Sequence, residues 1–105
     1  MSKVVETMSL SGGWNAEYNI WTNAITAIHR DGYSATFSQE EIEAELVRLV
    51  KQANGSHFAL IKIFSNLSNR DDAFSQAVYA ATCQCGYDKP YRKKICAEFG
   101  APCIF

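Results

Sequence analysis

Trp14, Tyr18, Trp21, Ile25 and Ile28 follow one another at spacings of 4, 3, 4 and 3. That period lays five large apolar side chains along one stripe of a helix, with Ala24 and Ala27 beside it. It predicts a helix running from residue 14 to Asp31-Gly32, where a glycine takes the left-handed conformation that often ends one. The next signal is Ser38-Gln39-Glu40-Glu41. This is a capping box, whose serine oxygen and glutamate carboxylate satisfy the first free amides of a helix. Behind it Ile42, Leu46, Leu49, Val50 and Ala53 share a face, and Asn54-Gly55 closes the element.

Ser56 opens a third segment. Phe58, Leu60, Ile61, Ile63, Phe64 and Leu67 are apolar nearly all round, which fits a central buried helix or a buried strand. The chain offers no second strand to pair with it, so a helix is expected. Ser68 to Asp72 cap a fourth helix with an inner stripe of Phe74, Ala77, Val78, Ala81 and Cys85, stopped by Gly86. Asp88 and Pro90 start a fifth, with Ile95 and Phe99 inward and Gly100 and Pro102 at its end. Both prolines lie at or beyond position 90, so nothing earlier imposes a break. The expected fold is all-α, a single domain over residues 1–105 built as a bundle of about five helices. Residues 1–13 form an N-terminal arm, and residues 77–105 a cysteine-containing helical hairpin and tail.

A helix closed by Gly-Tyr and followed by a capped helix occurs twice, at Gly32-Tyr33 and at Gly86-Tyr87. Asp31-Gly32 followed by Ser38-Gln39-Glu40-Glu41 is similar to the first half of the pattern in the tellurite-resistance TerB domain and the related domain of the DjlA co-chaperone. That resemblance implies two such halves and an acidic metal-binding pair. The second half departs from it. Cys85-Gly86 stands in place of Asp-Gly, and lysines and arginine stand where acids belong, so the pair is incomplete here.

Composition bounds the function. The chain has 105 residues, 48% hydrophobic and 20% charged, with net charge −1. It can bury an ordinary core. Residues 1–52 carry seven acids and four bases, and the remainder four acids and six bases. This dipole can orient a partner but is too small to specify nucleic acid or a lipid surface. The N-terminal stretch lacks the apolar run of a secretory signal, and no segment is apolar enough to span a bilayer. A cytoplasmic protein with no membrane association is expected, its cysteines mainly reduced thiols that pack as small apolar groups.

Local chemistry concentrates near the C-terminus. Cys83, Cys85, Cys96 and Cys103 have spacings that match no standard zinc signature. On a continuous helix Cys83 and Cys85 point to different faces, so they are weak metal candidates. A Cys85–Cys96 disulfide is an alternative. Lys89, Tyr91, Arg92, Lys93 and Lys94 form a basic face with an interleaved aromatic, and Glu40, Glu41, Glu43 and Glu45 an acidic one. His29 and His57 belong to no paired motif. No nucleophile elbow, phosphate loop or zinc-protease motif occurs, so no enzyme, no catalytic residue and no cofactor is expected. The reading that follows is a small non-catalytic protein-binding module. It would be an inhibitor, immunity or adaptor protein, of the type encoded by phages and mobile elements, acting through charge complementarity at the two faces, as a monomer or homodimer. A cysteine-based metal or redox domain, and nucleic-acid binding through the basic helix, are the alternatives.

Overall fold

Residues 14–19 read Trp-Asn-Ala-Glu-Tyr-Asn, a strict alternation of apolar and polar positions, and they fold accordingly. In a computed structural model of the protein, which describes residues 5–82 and 90–99, Trp14, Ala16 and Tyr18 are buried and the residues between them are not. The segment is strand β2, Trp14–Asn19. It lies between β1, Val5–Ser9, and β3, Ile25–His29, and β4, Ser34–Phe37, completes the sheet. The four strands form an antiparallel meander in the order β1-β2-β3-β4. Four helices follow: α1, Gln39–Ala53; α2, His57–Leu67; α3, Ala73–Thr82; and α4, Pro90–Phe99.

The fold is therefore α+β, and the expected all-α bundle of five helices is corrected. The cause lies in the spacing. A separation of four residues satisfies the helical period and is also twice the strand period, so Trp14 and Tyr18 share a face in either structure. The separation of three from Tyr18 to Trp21 runs out of β2 into a turn, and that from Ile25 to Ile28 joins opposite faces of β3. Trp21 lies in that turn, 74% exposed, and Ile28 points to the open side of the sheet. Thr22, Thr26 and the aromatic residues also favour a pleated surface. Asp31-Gly32, expected to stop a helix, instead makes the β3–β4 hairpin turn. There Gly32 has φ +99° and the amide of His29 donates to the carbonyl of Tyr33 at 2.7 Å. The TerB-like pattern thus has a strand, not a helix, before Asp31-Gly32.

Register fixes the two faces. Tyr18 lies opposite Ile25, Ala16 opposite Ala27, and Ile25 opposite Phe37. These residues form the inner face. The outer face carries Thr7, Asn15, Glu17, Thr26, Ser34 and Thr36, with the hydroxyls of Thr26 and Thr36 bonded at 2.7 Å. Among the described residues the helices cover only the inner face, and the outer one is polar apart from Ile28 and Val5.

The helices form where the capping signals put them. Ser38 accepts from the amide of Glu41 at 3.2 Å, Ser56 from that of Ala59 at 3.2 Å, and Asp72 from that of Ser75 at 2.9 Å. Each such cap is worth about 1 kcal/mol. Asn54, at φ +52°, closes α1. Helix α3 lies on β3 and β4, and α1 packs against α2, α3 and α4. Alanines at Ala16, Ala27, Ala73, Ala77, Ala80 and Ala81 are all buried, which lets α3 approach the sheet closely. Helix α2 is not central as expected. It buries Leu60, Phe64 and Leu67 but leaves Phe58 79% and Ile61 45% exposed. Ile42 is fully buried in α1. Ile42→Val is expected to cost about 0.5–1.5 kcal/mol, seen in urea unfolding as a lower midpoint with an unchanged slope.

Candidate functional site

The turn between β2 and β3 is where polar chemistry and exposed apolar surface meet. Its residues, Ile20 to Ala24, are short of backbone partners within the ladder, and two asparagines replace them. Asn19 accepts through Oδ1 from the amides of Trp21 at 2.8 Å and Thr22 at 3.1 Å. This is an Asx turn, in which a side chain mimics a backbone acceptor. The backbone also closes on itself, with the Asn23 amide donating to the Asn19 carbonyl at 2.7 Å and the Asn19 amide to the Ala24 carbonyl at 2.9 Å.

Asn23 anchors this turn to the rest of the molecule. It sits at φ +63°, in the left-handed region that asparagine tolerates better than most residues. Its Oδ1 accepts from the Tyr18 hydroxyl, its Nδ2 donates to Gln39 Oε1 at 3.0 Å, and its carbonyl accepts from the Tyr91 hydroxyl. One residue thereby ties the turn to β2, to α1 and to α4. Gln39 in turn donates to Glu43 at 3.0 Å. The result is a stiff loop that carries Trp21 and Ile20 outward, 74% and 41% exposed. Residues 18–28 carry no charged side chain.

Both phenols serve this network as donors. Burial raises the pKa of Tyr91, and Tyr18 and the Glu43 carboxylate add to the shift. Burial, then Glu6, raises that of Tyr18. A folded pKa above the unfolded value of about 10 means the contribution is full below that pH and is lost as pH rises through the folded value. Thermal stability is expected to hold to about pH 9 and to fall above about pH 10, and Tyr91→Phe should flatten that fall. Melting temperature against pH for the two proteins checks this.

The residues expected from sequence are placed differently. Glu40, Glu41, Glu43 and Glu45 are all on α1 but do not share one face. Glu45 lies toward α2 and is held by Arg48 at 2.5 and 2.8 Å. That bond raises the Arg48 pKa. Glu43 lies on the opposite flank, in the network of the turn. Only Glu40 and Glu41 stand free in solvent. On α4, Tyr91 is fully buried, so it belongs to the core and not to a basic face. Lys94 reaches Glu98 at 3.5 Å. Lys93 is exposed and Arg92 partly so, and Lys89 lies outside the described residues. Without an accessible Tyr91, the basic helix loses an aromatic that base stacking would use.

Cys96 is disulfide-bonded, in place of the reduced thiol expected. Cys83, Cys85 and Cys103 lie outside the described residues. His29 pairs with Asp31 at 3.2 Å, and the His57 ring packs edge-on against Phe99. No helix among the described residues is long and apolar enough to cross a membrane.

The sequence hides the Ile20–Trp21 knob because Trp21 also fits the helical stripe. The usable signal was the pair Asn19 and Asn23 bracketing it, between two segments with strand alternation. Fold and site together define a small α+β protein that presents a tryptophan on a braced hairpin turn. No family model, no curated protein and no solved structure matches the chain.

Proposed function

We propose that the chain is a small non-catalytic protein-binding module, of inhibitor or adaptor type, that docks through Ile20 and Trp21 into an apolar pocket of another protein. The observation that carries this reading is a 74%-exposed tryptophan on a turn braced by Asn23. An exposed indole has no stability to offer the fold, while tryptophan dominates the binding energy of many interfaces. Bracing removes the entropy cost of ordering the loop on contact. A convex knob suits a concave partner. Its rim of Asn19, Thr22 and Asn23 is polar and uncharged, as the edge of an interface is. The same lack of lysine and arginine disfavours an anionic bilayer, which polybasic segments bind. Charge acts beside the knob: Glu40, Glu41, Arg92 and Lys93 steer the encounter and contribute little to its strength.

Intrinsic fluorescence tests this, because the other tryptophan, Trp14, is only 4% exposed. A protein captured from the native host is purified and titrated against the chain. Trp21 emission should shift to the blue and lose its quenching by acrylamide. A saturating partner that leaves the quenching unchanged contradicts the docking site, and the same protection on neutral vesicles instead would replace the protein partner by a lipid surface.

A further inference from the structure

A concave site lies at the other end of β3 from the Trp21 knob. Its walls come from the β3–β4 turn and the start of α3, and it is an open hollow of about 360 Å³. Trp14, His29 and Tyr33 supply rings, and Asp31, Asp71 and Asp72 supply carboxylates. The rings form an ordered set. Trp14 meets His29 edge-on at 4.8 Å and Tyr33 edge-on at 6.4 Å. Two of the carboxylates are fixed by neutral donors, Asp71 by Trp14 Nε1 at 3.0 Å and Asp72 by the Ser75 amide at 2.9 Å.

Among the described residues no lysine or arginine side chain lines the cleft. The two arginines next to these aspartates in sequence are turned away. Arg70 lines the groove between α1 and α2, and the stem of Arg30 lies over Gly13. Among the described residues no lysine or arginine pairs with Asp31, Asp71 or Asp72. Three carboxylates therefore line one opening with no lysine or arginine beside them among the described residues, Asp31 lying 3.2 Å from His29 Nδ1. Among the described residues no group of three or more His, Cys, Asp or Glu is placed to hold a metal ion. A cation whose charge is spread over a flat group answers this arrangement better than a point charge. Guanidinium stacks on aromatic faces and donates to several carboxylates at once.

We propose that the cleft between the β3–β4 turn and the start of α3 binds a guanidinium group, stacked on Tyr33 and held by Asp31 and Asp71. This site is independent of the Trp21 knob. The test uses ¹⁵N-labelled full-length chain and follows the indole N–H of Trp14, with that of Trp21 as the internal control. Nα-acetyl-arginine amide should shift the Trp14 signal saturably and leave Trp21 unmoved. The citrulline counterpart, equal in shape but neutral, should bind at least about tenfold more weakly. Asp31→Asn and Asp71→Asn keep size and acceptor and should each weaken binding by about fivefold, and Tyr33→Ala by a similar factor. Circular dichroism confirms that the variants fold. Equal binding of citrulline, tighter binding of the lysine counterpart, or unchanged affinity in folded Asp31→Asn and Asp71→Asn overturns the assignment. Agmatine and an arginine-containing hexapeptide separate the sources. Tighter peptide binding assigns the group to a protein side chain, equal binding to a free guanidine, and both sustain the guanidinium site.

Discussion

Trp21→Ala should weaken partner binding by about 30-fold or more, the loss of one interface hot spot of about 2 kcal/mol. Its effect on folding should be small. The indole is 74% exposed, and its backbone amide, which Asn19 holds, is retained in alanine. Surface changes of this kind stay within about 0.5 kcal/mol of stability. The pairing of a large binding loss with an unchanged melting temperature separates docking from unfolding. Phe58→Ala is the matched control. Phe58 is 79% exposed on α2, at the far end of α1 from the turn, and lacks the hydrogen-bonded bracing of Asn23. It should change affinity less than about threefold, within the range of a residue outside the energetic centre of an interface. If Phe58→Ala gives the loss and Trp21→Ala does not, the docking surface is the outer face of α2. Reversal of charge at Arg92 and Lys93 should slow association and alter its salt dependence more than it changes dissociation.

Asn23→Ala should act on both levels. It removes the acceptor of the Tyr18 hydroxyl and the donor to Gln39, each worth about 1 kcal/mol net. It also leaves alanine at φ +63°, a left-handed conformation costing about 1 kcal/mol. The loss of roughly 3 kcal/mol corresponds to a fall of about 12–20 °C in melting temperature for a domain of this size. Asn23→Gly shares the lost side-chain bonds and avoids the strained φ, so it should fall less, by about 2 kcal/mol. Both variants loosen the turn, and both should bind the partner more weakly than their remaining folded fraction explains. Calorimetry gives the first quantity and titration at a temperature where each variant is folded gives the second. Full stability in Asn23→Ala would mean that the network around the turn carries no energy.

What was legible in the sequence follows a physical line. Helices α1 to α3 announce themselves through local chemistry: Ser38 and Ser56 bond amides three residues on, Asp72 does the same, and Asn54 turns the chain at once. Such signals act within one turn of helix and need no distant partner. A strand depends on its neighbour. Trp14, Ala16 and Tyr18 alternate cleanly, yet Ala16 is a poor strand former and Trp14–Tyr18 has a helical spacing as well, so the decision rests with β1 and β3. Charge was legible as composition and misleading as geography. Glu43 and Glu45 are two residues apart, which on a helix sends them to opposite flanks. Tyr91 is flanked by charges in sequence, and its ring is fully buried, its hydroxyl reaching Asn23 across 68 residues. Contacts of that range cannot be read from a local window. The cleft of Trp14, Tyr33 and Asp71 likewise joins positions up to 57 residues apart.

The docking role of the turn can be read directly by photocrosslinking. A benzophenone amino acid is placed at position 21 in one preparation, and at Phe58 or Lys93 in others, each mixed with purified partner and irradiated. Docking through the knob gives a covalent product from position 21 that maps to an apolar pocket of the partner, with little from Phe58. Products from Phe58 or Lys93 alone, with position 21 silent in a complex that still forms, would contradict it.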